Sequence, residues 1–300
     1  MQATLTMRPE QIKALVEHYA HTPRPSDEAN VHTRIKRPHL IVTVYTNGTV
    51  LFQGANAMRE AAFFADAFNL AHPADGQAKP KNFYLRSYGS DETGVGDYFG
   101  PLVVACAYVT PADEALLERL GVRDSKSLTD EAVKRMAPTL IKQIPYSLVV
   151  LDPATYNTQT NRGFNAHKLK AFLHAQTHKK LRLRVKHDAP IVVDQFCDAT
   201  HYARYVRDFK DAPIPDIFKT KAESHYASVA VASVIARYRF LSSLEALSQT
   251  YAMTLPKGAS KAVDEAASRF IETHGLAALN NVAKMHFKTT DKAKENLLNR

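Results

Sequence analysis

Tryptophan is missing altogether, and only two cysteines, Cys106 and Cys197, occur in 300 residues. Two thiols cannot build the disulfide framework that staples small secreted domains. Both sit in apolar surroundings, VVACAYV and VVDQFCD, and read as buried, inert thiols in a reducing compartment. No apolar run approaches the ~20 residues needed to span a bilayer, so no membrane association is expected. Met1–Glu10 lacks the apolar region and small-residue cleavage site of a secretory signal. A cytoplasmic protein is the expectation. Thirteen histidines are present, yet no pair has the spacing of a zinc protease and no cysteine cluster accompanies them. No repeat and no low-complexity tract is found.

What is present points to a folded chain with a polyanionic partner. Hydrophobic residues make up 45%, and 14 Phe and 13 Tyr supply aromatic bulk. The mean hydropathy, −0.29, is ordinary for a water-soluble chain. The length suits two domains or one large one. Net charge is +9, from 39 basic and 30 acidic residues, and most of the excess lies beyond residue 85. A nucleic acid would suit that balance, although many basic proteins bind none.

The pattern changes once along the chain. Ile12, Leu15, Val16 and Tyr19 share one face of a helix expected over Pro9–Tyr19. Strands are expected at His39–Tyr45 and Thr49–Gln53, joined by Asn47-Gly48, a strong hairpin signal because both residues tolerate positive φ. A helix follows over Ala55–Leu70. The stretch from His72 to Pro80, rich in Pro, Gly and polar residues, is the best linker. It divides a small domain, residues 1–80, from a larger one, residues 81–300.

Strands and helices alternate after it, the mark of an α/β sheet covered by helices. Strands are expected at Tyr84–Ser90, Leu102–Val109, Ser147–Leu151, Ile191–Val193 and near Ile217. Helices are expected at Asp113–Leu120, Thr129–Lys142, Asn165–Arg184, Thr200–Lys210, Ala222–Ser248 and Ala262–His274, the last capped by Gly275.

Four acids stand out. Asp91 and Glu92 end an apparent strand and run into the turn GSDETGVGDYFGP. Neighbours in a strand point to opposite faces, so the two converge only if the strand ends or bends there. A solvated acidic turn is the competing reading. Asp194 closes the apolar run Ile191-Val192-Val193, at the end of a strand where sites of open α/β sheets lie; a helix cap would also explain it. Glu223 falls in the first turn of the helix expected from Ala222. There the helix dipole favours an anion whether or not it faces a site. Together Asp91, Glu92, Asp194 and Glu223 would offer oxygen ligands for hard cations such as Mg²⁺. Two such ions ~3.5–4 Å apart can clamp the attacking and leaving oxygens of a phosphoryl transfer.

These acids belong to a larger set of ordered blocks. GSDETGVGDYFGP (89–101), GVRDSKSLTD (121–130), DQFC (194–197), TKAESHYASVAVASVIAR (220–237), LPKG (255–258) and KMHF (284–287) together resemble bacterial ribonuclease HIII over nearly the whole chain. The resemblance implies an RNase H fold, α/β with a mixed five-stranded sheet flanked by helices. It implies a small α+β N-terminal domain similar to the TATA-binding protein that grips substrate. It implies that Asp91, Glu92, Asp194 and Glu223 are the catalytic, metal-binding acids, holding two Mg²⁺ or Mn²⁺ ions. The implied activity is endonucleolytic cleavage of the RNA strand of RNA–DNA hybrids, leaving 5′-phosphate and 3′-hydroxyl ends. A monomer with no organic cofactor is expected. Gly94-Val95-Gly96 stands where ribonucleases HII carry Gly-Arg-Gly, which argues for weak cutting at single embedded ribonucleotides.

Substrate contacts are expected from Gly94, Val95 and Gly96, whose backbone can approach a 2′-OH, though these glycines also serve the turn. The resemblance implies phosphate contacts for Ser125 and Lys126; a helix-capping segment is the alternative. Arg162–Lys186 holds eight Lys or Arg, three His and no acid. It reads as a helix with Leu169, Phe172 and Leu173 inward and a cationic outer face. In the first domain Arg34, Lys36 and Arg37 precede a strand, and Tyr45 and Phe52 could stack on bases or pack on a helix. A ribonuclease HII-like enzyme, a hybrid-binding protein without catalysis and a DNA-junction nuclease are the rival readings.

Overall fold

The computed structural model describes residues 2–19, 30–70, 80, 82–122 and 128–298. Two compact units divide them, one comprising residues 1–81 with 115–132, the other 82–114 with 133–300. Among the described residues no helix is long and apolar enough to cross a membrane.

The first unit holds β1 (Gln2–Thr6), α1 (Pro9–His18), β2 (Val31–Arg37), β3 (Leu40–Tyr45), β4 (Thr49–Gln53) and α2 (Ala57–Ala67). Its antiparallel sheet runs β1-β4-β3-β2. Gly48, at φ 85°, closes the β3–β4 turn. Leu5, Ile35, Val42, Val44 and Phe52 alternate inward to meet Leu15 and Phe64 of the helices. Phe52 is therefore a core residue, stacked on Phe64 at 6.1 Å. The other face of β2 presents His32, Arg34 and Lys36 to solvent. The strands β1 and β2 were not expected from the sequence.

The second unit is built on β5 (Ser87–Thr93), β6 (Leu102–Val109), β7 (Tyr146–Leu151), β8 (Ile191–Asp194) and β9 (Ile217–Lys219). Along the chain α3 (Glu114–Leu120) and the first residues of α4 (Asp130–Gln143) are counted with the first unit, the rest of α4 precedes β7, and α5 (Pro153–Asn161) and α6 (Ala166–Val185) follow it. Then come α7 (Ala199–Val206), α8 (Ala227–Thr250), α9 (Lys261–His274), α10 (Leu276–Leu279) and α11 (Lys288–Leu298). The sheet order is β7-β6-β5-β8-β9. β6 pairs antiparallel with β5 and β7, whereas β8 pairs parallel with β5 and β9. This is the RNase H fold with its mixed sheet. Every residue of β6 is buried, as a near-continuous apolar run in a sheet covered on both faces should be.

Alternate residues of β5 meet different helices. Ser87 hydrogen-bonds Ser228 of α8 at 2.7 Å, and a Cβ on Gly89 would lie 2.3 Å from the Val229 nitrogen. Only glycine lets α8 cross so close. The next residue, Ser90, instead meets His174 and His178 of α6, each at 2.7 Å. Helices α8 and α6 thus cover opposite faces.

Candidate active site

The site forms where two parallel strands part. β5 stays paired with β6 as far as Thr93↔Val103, but its pairing with β8 stops at Ser90↔Val193. Asp91 and Asp194 are the next residues of each strand. The Glu92 N–H, facing no β8 partner, donates to Asp91 Oδ1 at 2.8 Å. Asp91 also accepts from Ser233 of α8. Burial raises the Asp91 carboxyl above the ordinary carboxylate range; the charge of Glu92 raises it further, and Asp194 adds to the effect.

Glu92 points to the other face. The bend anticipated at this pair does not occur, because β6 holds β5 straight through Thr93. Lys170 Nζ lies 3.0 Å from Glu92 Oε1 and His174 Nε2 lies 2.9 Å from Oε2. Burial alone would raise the Glu92 carboxyl. The hydrogen bond and charge of His174, with those of Lys170, overcome it and hold the group well below the carboxylate range.

Glu223 is not in the first turn of the long helix. It sits in a 3₁₀ turn, Ala222–Ser224, entered through Lys221 at φ 55°, and α8 begins only at Ala227. The dipole of α8 therefore does not account for it. The Ala222 N–H donates to Asp194 Oδ1 at 3.0 Å, which ties the turn to the end of β8. Glu223 itself is buried.

The glycine turn leaves β5 beside the acids. A Cβ on Gly94, at φ 103°, would strike the Pro101 carbonyl oxygen at 2.2 Å, whereas one on Gly96 would meet nothing within 4 Å. Val95 packs against the cluster of Leu102, Tyr156 and Leu169. Residues near 284 hold the turn from beneath. The Lys284 ammonium, fully buried, donates to the carbonyls of Asp97 and Gly100 at 2.8 and 2.7 Å. Burial pulls its pKa down to about 7, against the opposing charge of Asp97. Asn157 ties the same segment to α5 through Ala283 O at 2.9 Å. Asp97 Oδ1 accepts from Gly258 N–H at 2.7 Å.

The fold thus brings Asp91, Asp194 and the turn that carries Glu223 to one end of the sheet, while Glu92, the next residue of β5, faces α6 there; Gly94–Gly96 follow. Ser125 and Lys126 lie outside the described residues. Among the described residues no three His, Cys, Asp or Glu already stand where they would enclose a metal ion. The donor set nonetheless fits a hard divalent cation: all four are carboxyls, and the repulsion that raises Asp91 is what such an ion would relieve.

The basic helix is corrected in one respect. Lys170, His174 and His178 of α6 are buried rather than part of a cationic outer face, while Leu169 and Leu173 pack inward as expected and Phe172 is only half-buried. Lys170, His174, Ser233 and Lys284 are residues that sequence reasoning missed as parts of the site. One signal was available for the first two. Lys170 and His174 are one helical turn apart, each directly after an inward leucine.

The Ribonuclease HII family matches residues 88–290, and a family described as Domain of unknown function (DUF3378) matches residues 2–74. Ribonuclease HIII of Geobacillus kaustophilus is 42% identical over 294 residues, 94% of each chain. The chain belongs to the ribonuclease HIII family. Ribonuclease HIII of Streptococcus pneumoniae is 38% identical over 295 residues, 98% of each chain. The crystal structure of Bst-RNase HIII in complex with Mn²⁺ is 38% identical, covers both chains completely and superposes with a TM-score of 0.71. Membership in ribonuclease HIII makes this chain an endoribonuclease H.

Proposed function

We propose that the enzyme hydrolyses the RNA strand of RNA–DNA hybrids, with Asp91, Glu92, Asp194 and Glu223 as the acids that hold two divalent ions, Mg²⁺ or Mn²⁺. The observation that carries this reading is the pairing of Asp91 and Asp194 just past the last β5–β8 rung, with burial and neighbouring charge raising the Asp91 carboxyl. Acids gathered in this way are costly without a cation. Kinship with a relative crystallised with Mn²⁺ supports the same choice of ion.

When bound, a divalent pair makes water acidic enough to attack and neutralises charge on the departing oxygen. The protein's part is orientation. Ser233 and the Glu92 N–H fix the Asp91 carboxyl, and Ala222 N–H fixes Asp194. The water oxygen bonds to phosphorus and the bond from phosphorus to the 3′ oxygen breaks. The products carry 5′-phosphate and 3′-hydroxyl ends.

The backbone of Gly94, Val95 and Gly96 meets the strand near the cut, where a 2′-OH distinguishes RNA from DNA. Ser125 and Lys126 serve phosphate in this reading. Val95, which packs inward, stands where ribonucleases HII carry an arginine, and cutting at single ribonucleotides is weak. Residues 1–80 form a grip resembling the TATA-binding protein, and the outward face of β2, with Arg34 and Lys36, meets the hybrid backbone. The enzyme acts as a cytoplasmic monomer without an organic cofactor.

Three labelled duplexes test the reading, each with Mg²⁺, Mn²⁺ or EDTA: an RNA–DNA hybrid, a DNA duplex with one ribonucleotide, and plain DNA. Metal-dependent cutting of the hybrid alone is expected. Efficient cutting at the single ribonucleotide would assign type HII behaviour, and tight hybrid binding without cutting would assign a binding protein.

A further inference from the structure

Lys170 lies in a setting where a lysine is seldom found. Its side chain is only 9% exposed. Its ammonium lies 3.0 Å from Glu92 Oε1 and 4.2 Å from the centre of the Phe196 ring. Phe196 belongs to the DQFC segment that begins with Asp194, and His174 stacks on the same ring at 5.3 Å. One residue of the Asp194 segment thus backs both groups that grip Glu92.

The grip is anchored deep in the unit. His174 Nδ1 meets Ser90 Oγ at 2.7 Å, Ser90 Oγ meets His178 Nε2 at 2.7 Å, and His178 Nδ1 meets Cys106 Sγ at 3.2 Å. All four are fully buried. Two proton arrangements satisfy every member. In both, His174 Nε2–H donates to Glu92; the other three bonds run from the Cys106 thiol to His178, to Ser90, to a neutral His174, or in the reverse direction from a charged His174. Burial holds His178 well below its ordinary pKa, with His174 and Arg182 adding to the effect, which agrees with a neutral ring. His174 cannot turn away without breaking this chain, so the Glu92 carboxylate is held toward α6 by a fixed donor and a buried cation.

We propose that Lys170 is a resident cation of the active site, a positioning residue that holds Glu92 while no divalent ion is bound and sets how tightly such an ion binds. The inference rests on Glu92 being one of the metal-binding acids. The physical argument is competition. Asp91, Glu92 and Asp194 would repel one another without a cation, and the Lys170 ammonium 3.0 Å from Glu92 offsets part of that repulsion. An arriving divalent ion gains less from Glu92 than it would from an unpaired carboxylate, and it also meets the repulsion of the ammonium. The arrangement keeps the metal-free site folded, at the cost of affinity for the ion.

The test is Mn²⁺ binding to the full chain without substrate, followed by titration calorimetry and by the loss of the free-ion electron paramagnetic resonance signal. Lys170→Met removes the charge and keeps the length. Mn²⁺ should bind about tenfold more tightly to it than to the wild type, and the melting temperature in EDTA should fall, since a buried carboxylate loses its partner. Added Mn²⁺ should raise the melting temperature of this variant more than that of the wild type. Lys170→Arg keeps the charge and should bind Mn²⁺ within threefold of the wild type. Lys170→Gln, which can still donate to Glu92, provides the same comparison if the methionine variant folds poorly. Unchanged or weaker Mn²⁺ binding in the neutral variants would overturn the proposal. Asp91→Asn separates this from the underlying reading. If it weakens Mn²⁺ binding while the neutral Lys170 variants do not strengthen it, only the Lys170 inference fails. If Asp91→Asn leaves Mn²⁺ binding unchanged, both fail.

Discussion

Lys284 and Gly100 lie 184 positions apart in sequence, yet the ammonium of one donates to the carbonyl oxygen of the other at 2.7 Å. The same ammonium serves the Asp97 carbonyl. A buried lysine with its pKa lowered by burial to about 7, from 10.5, makes stability depend on pH in a definite direction. Below pH 7 both the folded and unfolded chains hold the proton. Between about 7 and 10.5 only the unfolded chain does, so stability from this residue rises with pH across that window. In Lys284→Met the dependence is removed. The melting-temperature difference between wild type and variant should therefore grow in favour of the wild type from pH 7 to pH 10. A constant difference would show that Lys284 keeps its ordinary pKa.

Asp91→Asn should separate stability from activity. The substitution keeps the shape and removes one of several neighbouring charges. Cleavage should fall by on the order of 10³-fold or more at saturating metal, the scale of losing a group that acts as part of a unit. The melting temperature in EDTA should rise most above about pH 8, where the wild-type carboxyl, raised to about 8 by burial and by Glu92, ionises and is repelled by its neighbours. Retained activity would remove Asp91 from the mechanism.

Gly94 and Gly96 should respond differently to alanine. At Gly94 a Cβ strikes the Pro101 carbonyl oxygen and φ is 103°, so Gly94→Ala should cost at least about 2 kcal/mol of stability. At Gly96 the space is open. Gly96→Ala should melt with the wild type, and a raised KM for the hybrid would then report a lost substrate approach rather than a damaged fold. An unchanged KM would mean that this backbone does not meet substrate.

Lys36→Glu tests the grip assigned to the first unit. Lys36 is exposed on the outward face of β2, so stability should change by less than about 0.5 kcal/mol. KM for the hybrid should rise, and the slope of log KM against log salt should become shallower. An unchanged KM would exclude this face as a hybrid contact.

Much of this fold was legible because burial leaves a period in the sequence. β6 was delimited to the residue, as eight apolar positions flanked by a proline and a threonine allow little else. The Asn47-Gly48 hairpin was equally plain. By contrast β2, VHTRIKR, carries its cations on the exposed half of each pleat and so resembles a loop. The polar helix α5, PATYNTQTN, shows almost no amphipathic pattern. The acids could be listed from strand ends and the glycine turn. Their partners could not. Lys170 meets Glu92 across 78 positions, and a lysine in a basic helix looks solvated until its partner is known. Glu223 was misplaced into α8 because apolar periodicity passes over the short break at His225 and Tyr226.

The C-terminal stitching of the glycine turn also has a consequence for how the protein is made. Residues 94–100 leave the ribosome first, whereas Val282 and Lys284, which hold Gly100 and Tyr98 in place, come later, Lys284 by 184 positions after Gly100. At about 5–20 residues per second the intervening wait is roughly 10–40 s. Throughout it the nascent chain carries the acids of β5 without the support that shapes the turn beside them. The turn that follows these acids is thus completed only after residue 284 has been made, so its shape belongs to a late stage of folding on the ribosome.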